Sequence, residues 1–136
     1  MKYNNALNNP AFLSQRDRRN LDRAIELAKL SDCRYRHGAV IVKHGKTVSV
    51  GINATINDPR FLDDPTAAIH AAIHAEVAAL NAIRKVDLRG ATIYVARVSK
   101  RGEPMMSMPC ARCQKALTAR GVKKIVYTID HMVVLD

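Results

Sequence analysis

Four residues of this chain have the types and spacing to do chemistry together: His74 and Glu76 in IHAAIHAEVAAL (69–80), and Cys110 and Cys113 in PCARC (109–113). The first pair interrupts an apolar, alanine-rich stretch that otherwise makes an ordinary core helix from Ile69, Ile73, Val77 and Leu80. A carboxylate taken out of water is costly or changes its protonation, so His74 and Glu76 call for a partner nearby. The cysteines offer one. At i and i+3 on a helical face, both sulfurs can reach one ion, and Pro109 at the helix start loses nothing by lacking an N–H. A helix N-terminus also favours thiolates through its unpaired N–H groups and its dipole.

Taken alone, the Cys-x-x-Cys reads as a metal half-site, a redox pair or half of a structural zinc knot. His74 supplies a third ligand, and one imidazole with two thiolates leaves a fourth position open, as in a catalytic rather than a closed structural zinc. Residues two apart in mid-helix point to opposite sides, so His74 and Glu76 act together only where the chain is still entering its first turn. The spacing therefore predicts a break just before His74, with DDPTAAIHAA a loop or a separate helical turn.

The elements that must position these residues alternate. Ser14, with Asp17 three residues on, caps a helix whose apolar face is Leu21, Ala24, Ile25 and Ala28, ending near Ser31. Two β-branched runs, Ala39 to Val42 and Thr47 to Asn53, flank the turn Lys43-His44-Gly45-Lys46 and predict a hairpin. ATINDPRFLDDPTA is a loop, the 69–80 stretch continues as helix to about Lys85, and Asp87 to Gly90 turns. ATIYVARV is a strand, SKRGEPMMSMP an irregular loop, CARCQKALTARG a helix stopped by Gly121, and KKIVYTID a strand. The order α-β-β-α-β-α-β ends in a β-α-β crossover. That predicts a three-layer α-β-α sandwich with a mixed sheet whose last strands are parallel.

With 136 residues and neither repeats nor a linker, one domain over 1–136 is expected, with 1–13 as an N-terminal extension. No apolar run approaches the roughly 20 residues that span a bilayer, and the N-terminus has no secretory h-region. The expectation is an intracellular, cytoplasmic protein without a membrane partner. Three cysteines argue against a disulfide framework. A formal charge of +10, from 22 Lys and Arg against 12 Asp and Glu, favours anionic partners.

HAE followed some thirty residues on by PCARC resembles the H-x-E…P-C-x-x-C signature of the zinc-dependent cytidine and deoxycytidylate deaminase superfamily. GAVIV, GIN at 51–53 and GVKKIVYTID at 121–130 extend the likeness over roughly residues 18 to 130. The resemblance implies that His74, Cys110 and Cys113 hold one Zn2+, which brings water toward ionisation. It implies that Glu76 is the catalytic acid and base, moving a proton from water to N3 of cytosine and helping ammonia leave. It further implies substrate contacts from the Ala75 N–H to the base carbonyl, from the Ser107–Pro109 loop with Met108, and from Asn53 to sugar or base. Homo-oligomers are common in the superfamily.

Departures keep the substrate open. Where many deoxycytidylate deaminases continue H-A-E-x-N-A, this chain has HAEVAAL, closer to tRNA-adenosine and riboflavin-pathway deaminases. Met108 stands where Glu or Ser is common, and the insertion that some deoxycytidylate deaminases carry before the histidine is short. Three readings follow: hydrolytic deamination of a free cytosine nucleoside or nucleotide; deamination of a base in tRNA or single-stranded nucleic acid; or a silent zinc-stabilised binding module. The few aromatics, two Phe, four Tyr and no Trp, disfavour a base-stacking channel. Glu76 disfavours the silent module, since a structural site has no use for a carboxylate beside an open ligand position.

Other polar residues take ordinary readings. His70 is a loop or surface residue, and His37, His44 and His131 are surface or turn residues; Cys33 is a small buried hydrophobe or reaches a neighbour beyond the first helix and has no assigned role; Met105, Met106 and Met108 are gap-filling core or interface. Seven basic residues between Lys100 and Lys124 stand against one acid, Glu103, and bind phosphate or form a solvated face.

Overall fold

The computed structural model describes residues 2–3, 13–55 and 72–130. The expectations for His70, His131, Ile69 and most of the loop before His74 lie outside them. The elements are β1 (Lys2–Tyr3), α1 (Gln15–Ala28), β2 (Arg36–Lys43), β3 (Lys46–Ile52), β4 (Ala54–Thr55), β5 (Ala72–Ile73), α2 (Ala75–Asn81), β6 (Thr92–Val98), β7 (Pro104–Met105), α3 (Ala111–Ala119) and β8 (Lys124–Tyr127).

Alternation along the strands builds the layers. Val40, Val42, Tyr94, Ala96, Val98 and Val126 share one face with Leu21, Ala24, Ile25 and Ala28 of α1. The residues between them, Ala39, Ile41, Ile93, Val95 and Ile125, pack on the other face against Ala75, Ala79 and Leu80 of α2 and Leu117 of α3. Both faces of the sheet are thus covered, which is the expected three-layer α/β sandwich. Its order is β1-β8-β6-β2-β3, with β7 attached to β6. β6 runs parallel to β8 and antiparallel to β2, so the sheet is mixed with its last strands parallel.

Local chemistry accounts for the boundaries. The Ser14 hydroxyl accepts the Asp17 N–H at 3.0 Å and caps α1. The Asp17 carboxylate turns inward, where it accepts the Tyr94 hydroxyl at 2.6 Å and pairs with Lys124 at 3.0 Å. The β2–β3 hairpin turns on His44 (φ 53°) and Gly45 (φ 76°), two left-handed residues in succession. Helix α3 stops at Gly121 (φ 90°), where the N–H groups of Gly121 and Val122 return to the carbonyls of Thr118 and Leu117.

Three outcomes differ from the sequence reading. Helix α2 ends at Asn81 instead of running to Lys85. Arg120 of the α3 terminus donates to the carbonyls of Leu80, Ile83 and Val86, so this end is closed by a side chain distant in sequence. The loop after β6 contains β7, whose Pro104 and Met105 pair with Val98 and Arg97. Lys2 and Tyr3, from the expected N-terminal extension, pair in parallel with Lys124 and Ile125 of β8.

Candidate functional site

The chain breaks just before His74, as the spacing predicts. β5 ends at Ile73, and His74 is the N-cap of α2 in extended backbone (φ −67°, ψ 146°). Glu76 is then the second residue of the helix, still in its first turn, where a carboxylate is favoured by the unpaired N–H groups. Gly51 of β3 sets the position of this turn. A Cβ there would lie 2.6 Å from the Ala79 nitrogen, so only glycine lets α2 settle onto the strand.

The cysteines occupy the start of α3 in the same way. Cys110 is its N-cap and Cys113 lies one turn in, buried, with Leu117 behind it. The sulfurs of Cys113 and Cys110 stand 3.3 and 3.9 Å from Nδ1 of His74. All three ligand atoms lie within 4.8 Å of one another. Burial pushes the Cys113 thiol well above its ordinary pKa, with the Glu76 carboxylate and Cys110 adding to the effect. In the absence of a cation, burial thus outweighs the helix terminus at Cys113. A cation between imidazole and sulfurs reverses that balance, and this soft donor set with one position left open suits zinc.

A cavity of about 280 Å³ opens beside the cluster. Its lining includes His74, Ala75, Glu76, Asn53, Met108 and Cys110, and so brings together every site residue expected from the sequence except buried Cys113, which completes the metal cluster behind it. Glu76 is 4% exposed, whereas Met108, at 52%, stands at the mouth. Asn53 is committed on one side. Its Oδ1 accepts from the Ser31 hydroxyl at 2.6 Å and the His37 N–H at 2.9 Å, and its Nδ2 donates to the Tyr35 carbonyl. These partners fix which way the amide points and leave one amide hydrogen for a ligand. Ser107 is locked beneath the cysteine loop. Its N–H donates to the carbonyl of buried Thr128, and its hydroxyl donates to the Val95 carbonyl at 2.9 Å.

Two wall residues escape the sequence reading. His37, expected at the surface, lines the cavity, because β2 directs it to the same face as α2. Burial lowers its pKa, opposed by the Glu76 carboxylate and the Tyr35 carbonyl, with Arg97 and His74 lowering it further. Tyr35 lines the cavity too, just outside the strand. The only signal for either was adjacency to GAVIV. Cys33, expected buried, is half-exposed and donates its N–H to the Ser31 hydroxyl. His44 is an exposed turn residue, as expected.

Residues 14–129 match the family model of the cytidine and deoxycytidylate deaminase zinc-binding region. The chain belongs to this family. It is a hydrolytic deaminase with zinc as its cofactor. The deaminase is 31% identical over 121 residues to the deoxycytidylate deaminase of Mycobacterium phage D29, covering 76% of this chain and 87% of that one. Among solved structures it resembles the dCMP deaminase of cyanophage S-TIM5. The apo form has a TM-score of 0.63 at 24% identity, covering 85% of this chain and 84% of that one. The complex of that enzyme with dCMP and dUMP has a TM-score of 0.58 at 25% identity, with coverages of 79% and 76%.

Proposed function

We propose that this deaminase converts a free cytosine nucleotide, of the deoxycytidylate class, to its uracil counterpart and ammonia. The observation that carries the reading is Glu76 buried in the first turn of α2, in the cavity wall beside a His74-Cys110-Cys113 cluster. The similarity to a phage deoxycytidylate deaminase supports the cytosine nucleotide over the alternatives.

His74, Cys110 and Cys113 would hold the zinc, which when bound brings water to ionise near neutral pH. The Glu76 carboxylate accepts a proton from water and delivers it to N3 of the ring, making C4 receptive to the water oxygen. It then carries the second proton to the exocyclic nitrogen, so that the C4–N bond breaks, ammonia departs and C4 keeps the oxygen. Ala75 presents a first-turn N–H, unpaired by the helix, to the base carbonyl. The Ser107–Pro109 loop flanks the departing amine, Met108 covers the mouth, and Asn53 offers its remaining N–H to the sugar or base. The chain acts as one domain over 1–136, in the cytoplasm and as a homo-oligomer, consistent with the family's habit. No helix among the described residues is long and apolar enough to cross a membrane.

The test is ammonia release by the zinc-loaded protein from cytidine, deoxycytidine, CMP, dCMP and a cytosine-containing single strand. Turnover of dCMP is expected, falling by about 10²–10⁴-fold in Glu76→Gln with zinc content unchanged. Turnover only of the strand, or full activity in Glu76→Gln, sinks the reading.

A further inference from the structure

The cavity wall made by Tyr35 and His37 is backed by arginines. Arg97 is the cross-strand partner of His37 between β6 and β2, so both side chains rise on the face that carries the site. The Arg97 guanidinium carbon lies 4.8 Å from the centre of the Tyr35 ring, and that of Arg34 lies 5.5 Å from it. Two like charges thus gather on one aromatic ring that also lines the cavity.

Several other basic residues have structural partners: Lys124 pairs with Asp17, Lys43 and Arg89 with Asp87, and Arg120 closes α2. Among the described residues, neither Arg34 nor Arg97 takes part in an ion pair, and the buried Nε of Arg97 has no hydrogen-bond partner. Arg36, the other arginine with an unpaired Nε, alternates onto the α1 face and belongs to a different environment. The Arg97 Nε is shielded from solvent, so a ligand would meet the guanidinium through its outer Nη groups, whose fork matches phosphate oxygens. The one carboxylate among the described lining residues, Glu76, stands with the metal cluster, so the charge of the cavity is divided between two sets of groups.

We infer that Arg97 and Arg34, held together by the Tyr35 ring, receive the phosphate monoester of the substrate, with His37 beside them in the cavity wall. The inference rests on the proposed function and adds the groups that select the phosphorylated substrate. Two guanidiniums suit a monoester, which carries nearly two negative charges at neutral pH, better than the single charge of each phosphate in a strand.

The experiment compares kcat/KM for dCMP and for deoxycytidine in the zinc-loaded full chain, wild type against Arg97→Gln, Arg34→Gln and the double variant. The preference of the wild type for dCMP should fall about 10–100-fold in Arg97→Gln and further in the double variant. Arg97→Lys should fall between. A preference unchanged within about twofold in the double variant overturns the inference, leaving the arginines as packing for Tyr35. So does a single strand whose turnover depends on Arg97 as strongly as that of dCMP. Thermal melting and zinc content establish that each variant is folded; if Arg97→Gln is not, Arg34→Gln carries the comparison. Should the wild type deaminate neither compound, the proposed function fails, and binding of inorganic phosphate followed by ³¹P NMR still decides the site. Weakening of that binding by tenfold or more in the double variant supports it, and equal binding overturns it.

Discussion

His37 illustrates how much a single side chain draws from its setting. Burial lowers its pKa from the ordinary 6.5. The unfolded chain therefore takes up a proton at a higher pH than the folded one. Stability is complete above about pH 6.5 and is lost as pH falls from there toward the lowered folded value. His37→Gln should flatten this loss, measured as the difference in melting temperature between wild type and variant from about pH 7 to pH 5. A variant with the same acid slope as wild type would show that His37 is not the group responsible. The same residue shows what sequence conveys and what it does not. His74, Cys110 and Cys113 are legible because their mutual spacing points to a shared ion, and Glu76 because it stands two residues from one of these ligands. His37 and Tyr35 have no such partners in sequence, and reach the cavity only through the pairing of β2 with β3 and β6. The occupation of Asn53 by Ser31, His37 and Tyr35 is likewise a product of folding.

Among the elements, α2 carries the proposed reacting groups and β3 locates them. Replacing Gly51 with alanine would drive a methyl group into the backbone of Ala75 and Ala79. Overpacking of this kind costs about 1–3 kcal/mol, and displacement of a catalytic turn by about 1 Å lowers kcat on the order of 100-fold. Gly51→Ala should therefore lose far more activity than stability, compared by kcat and by denaturant melting; equal small losses in both would mean that α2 is not seated by this contact. The alternating order and both helix starts were readable because periodicity and capping are local. The early end of α2 was not, since Arg120 closes it from 40 residues away. Nor was β7, whose two residues gain their strand character only by continuing the edge of β6 beyond the reach of β8.

For the molecule as a whole, part of the +10 charge has structural partners, as Lys124 has in Asp17, and part gathers near the cavity, as Arg34 and Arg97 do at Tyr35. The expected basic segment at 100–124 proves partly architectural, through Arg120 and Lys124. The metal cluster joins the starts of two helices in one layer, so loss of the ion should reach beyond the reaction. Chelation should lower the melting temperature of wild type by at least several degrees, while Cys113→Ser should start lower and respond little to added zinc; identical responses would show that the ion does not bind through Cys113. The span from His74 to Cys110 is 36 residues and encloses α2, β6 and β7. An ion bridging them acts on the unfolded chain as a cross-link does, withdrawing conformations worth on the order of 3–4 kcal/mol for a loop of that length. The deaminase thus carries in its reaction centre a removable staple, one that a chain whose three cysteines are all free of disulfides can gain or lose as zinc supply changes.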